Sequence, residues 1–190
     1  MRSRRIIGAA IALAGATTAA VTLATWTSAS KPGALAQVSN SGRVVTLRPD
    51  ALTRRLGIDK ASLLAVRGRR AYYLLATSKG PCAAVGLPGR PSQLGAAQCP
   101  EGHFPTPDHP VLDLSVYEST SHEEHQVSLY RAEGIAADGV GAVQFLRPDG
   151  TPALTVPVAA NVYSTTSVPS GPIAGVAALD TGGKRVWRSP

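Results

Sequence analysis

Residues 140–158 read VGAVQFLRPDGTPALTVPV. Two apolar runs, Val140–Leu146 and Ala153–Val158, flank the polar segment Arg147–Pro152. An Asp-Gly turn between two β-forming runs is typical of an antiparallel hairpin. The stretch therefore predicts two paired strands, and the same pattern of short apolar runs and turn residues recurs along most of the chain.

Seven further runs share this pattern, because each is short and ends near Gly, Pro or Asp. They are Ser62–Val66, Ala71–Thr77, Cys82–Gly86, Val111–Tyr117, Gln126–Ala132, Ile173–Leu179 and Lys184–Arg188. One short helix is predicted over 49–57, with Asp50 as its cap and Gly57 in a left-handed conformation after its last turn. The sequence thus predicts a mostly β fold, an antiparallel sandwich or barrel-like domain of about nine short strands with one short helix.

The composition fits one folded domain. The chain has 190 residues, of which 44% are hydrophobic and 16% charged, enough apolar surface to form a core. With two cysteines it is neither a disulfide-dense mini-protein nor a four-cysteine zinc module. We expect a single β-rich domain over 37–190.

The N-terminus has the pattern of an export signal. A positive segment, Met1–Arg5, precedes the uncharged run Ile6–Trp26. The length of this run favours a transmembrane signal anchor, whereas its many Ala, Gly and Thr residues favour a cleaved signal peptide. Small residues at 27–29 and 34–36 suit cleavage. Residues 1–36 are therefore a signal peptide or signal anchor plus tether, and both alternatives place 37–190 outside the cytoplasm.

Export bears on the two cysteines, Cys82 and Cys99. Outside the cytoplasm such a pair is expected to form a disulfide, worth about 3 kcal/mol by the chain-entropy model. The segment between them is rich in Gly and Pro, so we predict little regular structure there.

The net charge of +7 is unevenly distributed. Residues 1–36 contain four basic and no acidic residues, which leaves 15 basic against 12 acidic, or +3, for the remainder. The one dense cluster there, Arg67–Arg70, precedes Tyr72 and Tyr73. Charge beside aromatic rings is typical of single-strand binding. One turn of charge is too short to follow a phosphate backbone, so we interpret it as a solvated hairpin turn before a strand with one aromatic on each face, and expect no nucleic-acid partner.

The histidines form the densest group of candidate metal ligands. They are His103, His109, His122 and His125, with Glu123 and Glu124 between the last two. The order His-Glu-Glu-His is one residue shorter than the zinc-protease motif. Because this segment lies between two predicted strands, it is interpreted as an exposed loop, and no metal site is assigned.

Nucleophile and phosphate-binding motifs are missing from the sequence. His109, Asp113 and Ser115 are close in sequence, but the pattern is that of a strand with one polar face. We therefore assign no catalytic and no cofactor-binding residue. The stretch Asn161–Tyr163 is either a recognition patch or the ordinary end of a strand.

Several longer stretches support a family resemblance: PCAAVG…CP…FPTPDHPVLDLSVYE, GIAADGVGAVQFLRPDG…VPVAANVYS and VAALDTGGKRV. Together they span most of residues 62–188 and resemble a group of uncharacterised exported actinobacterial proteins. The resemblance implies an N-terminal apolar segment and a shared β-rich extracytoplasmic fold. It implies no catalytic residue.

Export, a β fold and the missing catalytic motifs favour a non-catalytic envelope module, secreted or anchored through residues 6–26, that binds an envelope protein or a cell-wall component. One alternative is an accessory or structural domain of a sensor or sigma-factor pathway. Another is an exported hydrolase whose active-site residues are dispersed along the sequence.

Overall fold

The computed structural model describes residues 37–38, 42–46, 54, 57–100, 104–119 and 127–189. They form thirteen antiparallel strands and almost no helix, which confirms the mostly β class. The strands are β1 (Arg43–Val45), β2 (Ile58–Arg67), β3 (Arg70–Thr77), β4 (Gly80–Leu87), β5 (Arg90–Gln98), β6 (Val111–Asp113), β7 (Val116–Ser119), β8 (Val127–Ala136), β9 (Val140–Leu146), β10 (Pro152–Pro157), β11 (Val162–Thr165), β12 (Gly175–Asp180) and β13 (Arg185–Arg188).

The first five strands pair in sequence order, and we call this sheet the meander. The turns from β2 to β3, from β3 to β4 and from β4 to β5 are short, and glycines in them take left-handed conformations, as at Gly68 (φ 55°) and Gly89 (φ 72°). One core cluster draws only on these strands and includes Tyr73, Leu75 and Ala84. The meander therefore covers part of its own apolar surface.

The central sheet has the order β11-β8-β6, and β7 pairs with another part of β8. One face of this sheet packs on the meander. Tyr72 and Val85 of the meander share a core cluster with Leu112, Ile135 and Val162 of the central sheet. This contact brings Arg70 and Tyr72 of the meander to Glu133 of β8.

The C-terminal sheet has the order β10-β9-β12-β13, so the two C-terminal hairpins pair through β9 and β12. Its core joins the other face of the central sheet. The rings of Phe145 in β9 and Tyr163 in β11 lie 6.2 Å apart, centre to centre, in a tilted arrangement. Strand β8 thus contributes to two cores, one on each face.

The Cys82–Cys99 disulfide is present, but the expected lack of structure between the two residues is wrong. This segment is the β4–β5 hairpin, and the disulfide closes its open end. Glycine and proline are compatible with the strands for local reasons. At Gly86 an added Cβ would come closer than 3.0 Å to the carbonyl oxygen of Gln93, so glycine permits this approach. Pro91 lies in an edge strand, where a missing N–H is tolerated.

The predicted strand Val111–Tyr117 is two strands, because the chain turns between them. The Ser115 N–H donates to Asp113 Oδ1 at 3.1 Å, and the Leu114 N–H donates to the Glu133 carbonyl at 2.9 Å. A polar side chain that binds the backbone two residues later favours such a turn. Strands β1, β5 and β11 were also absent from the sequence prediction, so the expected count of about nine is too low.

Of the predicted helix, 49–57, the structure describes Arg54, which is helical, and Gly57. The left-handed conformation of Gly57 is confirmed by its φ of 57°. The apolar run 6–26 also lies outside the described residues. Within the part of the chain that the structure describes, no helix is long and apolar enough to cross a membrane.

We expect Gly134→Ala to lower the free energy of unfolding by about 2–3 kcal/mol. An added Cβ would lie closer than 3.0 Å to the Leu112 carbonyl oxygen and to the Tyr163 ring, both held in place by neighbouring strands. Urea unfolding measures the change. The matched control is Gly95→Ala, whose Cβ would meet only Val85 O, at 3.7 Å; it should change stability by less than about 0.5 kcal/mol. Equal effects of the two substitutions would contradict the prediction.

Candidate functional site

Of the four histidines, His109 alone lies within the described residues, and it is exposed. Its backbone pairs with that of Thr106 in an isolated bridge. His103, His122 and His125 lie outside the described residues. Among the described ones, no three His, Cys, Asp or Glu side chains come together as metal ligands.

Asp113 and Ser115 do come together. The Ser115 hydroxyl donates to Asp113 Oδ1 at 2.5 Å. The Tyr117 hydroxyl donates to Oδ2 at 2.5 Å, and the Tyr163 hydroxyl donates to Oδ1 at 2.9 Å. No hydrogen bond between described residues joins His109 to Asp113 or Ser115. We call Asp113, Ser115, Tyr117 and Tyr163 the Asp113 cluster.

The electrostatics of the Asp113 cluster keep its phenols neutral. Burial, reinforced by the nearby Asp113 carboxylate, raises the pKa of Tyr117 and of Tyr163 well above the usual tyrosine value. Both phenols therefore remain hydrogen-bond donors to Asp113 in the neutral pH range. Ser115 Oγ also accepts the Glu133 N–H at 3.0 Å, so the cluster ties the β6–β7 turn to β8.

A second carboxylate, Glu133, lies on the opposite face of the central sheet. Its side chain is fully buried. Arg70 donates to Glu133 Oε1, and the Tyr72 hydroxyl donates to Oε2 at 2.7 Å. The Tyr72 oxygen also lies 2.8 Å from Ser164 Oγ. Because the phenol has only one proton, Ser164 is the donor in that second bond. We call Arg70, Tyr72, Glu133 and Ser164 the Glu133 cluster.

Burial is the largest influence on Tyr72 and raises its pKa to about 12. Its hydrogen bond to Glu133 raises the pKa further, whereas the Ser164 bond and the Arg70 charge lower it. The two clusters therefore orient their side chains and supply hydrogen bonds to the Asp113 and Glu133 carboxylates. Their phenols do not supply a base near neutral pH.

The Arg67–Arg70 segment forms the predicted hairpin turn, and Tyr72 and Tyr73 lie on opposite faces of β3, as expected. The expectation that the turn is solvated is wrong for Arg70, which pairs with Glu133. Arg67 Nη2 also makes an internal contact and donates to the Ala159 carbonyl at 3.0 Å.

Sequence reasoning missed Glu133. The available signal was a lone carboxylate within the largely apolar strand segment Leu129–Ala136, which suggests a buried charge in need of a partner. The partner could not be inferred from spacing, because Arg70 is 63 positions away in the sequence.

The Asn161 region is a structural turn rather than a recognition patch. Asn161 has a φ of 62°, and its side-chain amide donates to the Ala136 carbonyl at 3.0 Å and to Asp138 Oδ1 at 2.8 Å. Val162 and Tyr163 are buried. The ordinary strand-end interpretation therefore holds.

The described surface of the meander contains two depressions, with volumes of about 250 and 190 Å³. They lie on opposite faces of the sheet, because Cys82 in the larger belongs to the meander's own core cluster, whereas Leu74 in the smaller packs towards the central sheet. We call the smaller depression the meander groove. Pro81 lines both depressions. The larger is lined by Thr77, Lys79, Gly80, Pro81, Cys82, Cys99 and Pro100, and the smaller by Lys60, Ser62, Leu74, Leu75, Ala76 and Pro81.

Comparisons of this chain with protein-family models, with curated proteins and with solved structures found no match. The function is therefore inferred from residues and geometry alone.

We expect Arg70→Met to destabilise the fold by about 3 kcal/mol, because it leaves the Glu133 carboxylate buried without its cation. The double variant with Glu133→Gln should lose less than the two single variants together, since no buried charge then remains. Urea unfolding of all four proteins gives the coupling free energy. Arg69→Met, in the same turn but exposed, is the control and should change stability by less than about 0.5 kcal/mol. Additive losses would contradict the pairing.

Alkaline pH should destabilise the protein in part through Tyr72. Its pKa is raised from 10.0 to about 12 by folding, so the unfolded chain loses the phenol proton first, and stability falls as pH rises from 10 towards 12. Tyr72→Phe should be less stable at neutral pH, because a Glu133 hydrogen bond is lost. Its further loss between pH 10 and 12 should be smaller than that of the unaltered protein by about 1–2 kcal/mol. Urea midpoints over this range provide the measurement, and parallel pH profiles would contradict it.

Proposed function

We propose that this chain is a non-catalytic exported envelope module that binds a protein or cell-wall partner through the meander groove. The observation that carries the proposal is the groove itself, which combines an apolar floor with the exposed lysine Lys60. Residues 1–36 would act as signal peptide or anchor, and residues 37–190 would be a sandwich or barrel-like domain outside the cytoplasm.

The position of the groove follows from the strand register. Lys60 in β2, Ala76 in β3 and Pro81 in β4 lie side by side across the sheet. Further along the same strands, Tyr72 is fully buried in the contact with the central sheet, whereas Leu74 is half-buried and Ala76 is exposed. The groove therefore begins where the cover of the central sheet ends.

The chemistry of the groove favours an anionic partner. Lysine side chains combine a long apolar stem with a charged end, so they suit a surface that contacts apolar and anionic groups together. Opposite charge on the partner would accelerate association and make it dependent on salt.

The carboxylate clusters support a binding role for a different reason. The carboxylate oxygens of Asp113 and Glu133 accept hydrogen bonds from tyrosine, serine and arginine side chains at the two faces of the central sheet. Such bonds rigidify the framework on which a groove is displayed. A rigid surface lowers the entropy lost on binding.

The test is retention of the full-length protein on envelope fractions, both cell-wall material and membrane, from the organism that makes it. Retention should decrease at high salt, and Lys60→Glu should reduce it at least about tenfold by charge reversal. Lys184→Glu, in the exposed β12–β13 turn, is the matched control for the loss of a positive charge.

Equal retention of the Lys60→Glu variant, the control and the unaltered protein would assign binding to another surface. If the unaltered protein is not retained by any envelope fraction, the binding proposal itself fails.

A further inference from the structure

The disulfide holds a strand that buries little of its own surface. In β5 the residues Gln93 and Gly95–Gln98 are exposed, and Leu94 is only half-buried. The register between β4 and β5 shifts twice, on either side of the Gly86–Leu94 pair. In the described part of the chain, β5 pairs with β4 alone. Besides the β4–β5 turn, the Cys82–Cys99 bond is a second covalent connection between this edge strand and the other strands of the meander.

The two sulphur-bearing residues differ in accessibility. Cys82 in β4 is 1% exposed, whereas Cys99, just after β5, is exposed. Both line the larger depression of the meander, of about 250 Å³, together with Lys79 and Pro100. An incoming thiol therefore has room beside the disulfide and reaches it from the Cys99 side.

We propose that Cys99 is a thiol–disulfide exchange site for an exported dithiol protein, and that reduction there releases β5 from the other four strands of the meander. This inference does not rest on the proposed binding function. It assigns the disulfide a chemical role in addition to its stabilising one.

The reaction balances in two steps. A thiolate of the dithiol partner attacks Cys99 Sγ and forms a new S–S bond, while the bond to Cys82 breaks. The electron pair leaves with Cys82 Sγ, which takes a proton from solvent. The second partner thiolate then attacks the partner's own sulphur in the mixed disulfide, and Cys99 leaves as a thiolate and is protonated. Two electrons pass to the cystine, and the partner ends as a disulfide.

Lys79 is the residue placed to favour the first step. It lines the same depression as both cysteines, and its positive charge would stabilise the thiolates that approach and leave. Attack at Cys82 instead would require the partner thiol to reach a residue that is nearly fully buried within the meander.

Release of β5 follows from its small contribution to the core. Once the bond is open, β5 is retained by its hydrogen bonds to β4 and by the half-buried Leu94. Strands β2 and β3, in contrast, contribute the buried residues Leu64, Tyr72, Tyr73 and Leu75. Elements with few buried contacts open locally before the whole fold does.

The site of attack is tested on the full-length protein with a thioredoxin-type protein whose resolving cysteine is replaced by serine, so that the mixed disulfide accumulates. Peptide mass spectrometry of the trapped complex should place the bond on Cys99. A bond on Cys82, or an even division between the two cysteines, would overturn the proposal. So would the absence of a trapped complex when dithiothreitol alone opens the disulfide.

The role of Lys79 is tested by the rate of reduction with dithiothreitol. Lys79→Ala should react at least about threefold more slowly than the unaltered protein, and the difference should shrink at high salt. The control is Lys184→Ala, in the β12–β13 turn of the C-terminal sheet, which should react at the unaltered rate. Equal rates for both variants would remove Lys79 from the mechanism.

Strand release is tested by hydrogen exchange of the oxidised and reduced proteins and of Cys82→Ser/Cys99→Ser. In the reduced protein and the double variant, β5 amides should exchange at least about tenfold faster, while β2 and β3 amides keep their protection. Unchanged exchange in β5, or faster exchange throughout the meander, would overturn local release.

Discussion

The buried carboxylate of Glu133 is the constraint on which the packing of the two N-terminal sheets depends. An ionised group without contact with water is costly unless opposite charge and hydrogen-bond donors surround it. Arg70 and Tyr72 supply them, and both belong to the meander, whereas Glu133 belongs to the central sheet. The ion pair therefore favours one relative position of the sheets, where apolar packing alone would tolerate several. Its cost of desolvation is offset by the attraction of the Arg70 charge and by the hydrogen bonds that the carboxylate accepts.

Strand β8 joins this contact to the rest of the molecule. Glu133 faces the meander, and the adjacent Gly134 lies under the ring of Tyr163 on the side of the C-terminal sheet. The alternation of side chains along one strand thus places the two carboxylate clusters in two different cores. Ser115, which bonds both Asp113 and the Glu133 backbone, links them. A change in either cluster therefore affects the neighbouring residues Glu133 and Gly134 of β8.

The fold class could be predicted from local sequence patterns. The prediction failed where pairing or packing with distant residues determines the structure. The Asp-Gly hairpin of 140–158 was recognisable because turn residues separate two apolar runs, and the structure gives Val140–Leu146 as predicted. Strand β5 was missed because Gly, Pro and exposed small residues resemble a loop when the disulfide and the pairing with β4 are unseen. The Cys82–Cys99 bond was predictable because only one pair exists. The Glu133 cluster was not, since Arg70 and Tyr72 come from one sheet and Glu133 and Ser164 from another.

The first described residues have a mechanical consequence. The Gln37 carbonyl accepts the Asp138 N–H at 2.7 Å, and Val38 packs on the cluster between the meander and the central sheet. If the chain is anchored through its N-terminus, tension along it would reach the fold first at the β8–β9 turn rather than at the short edge strand β1. The load would then be divided between that turn and the contact of two sheets. A tethered domain built in this way would resist being unzipped from its first strand.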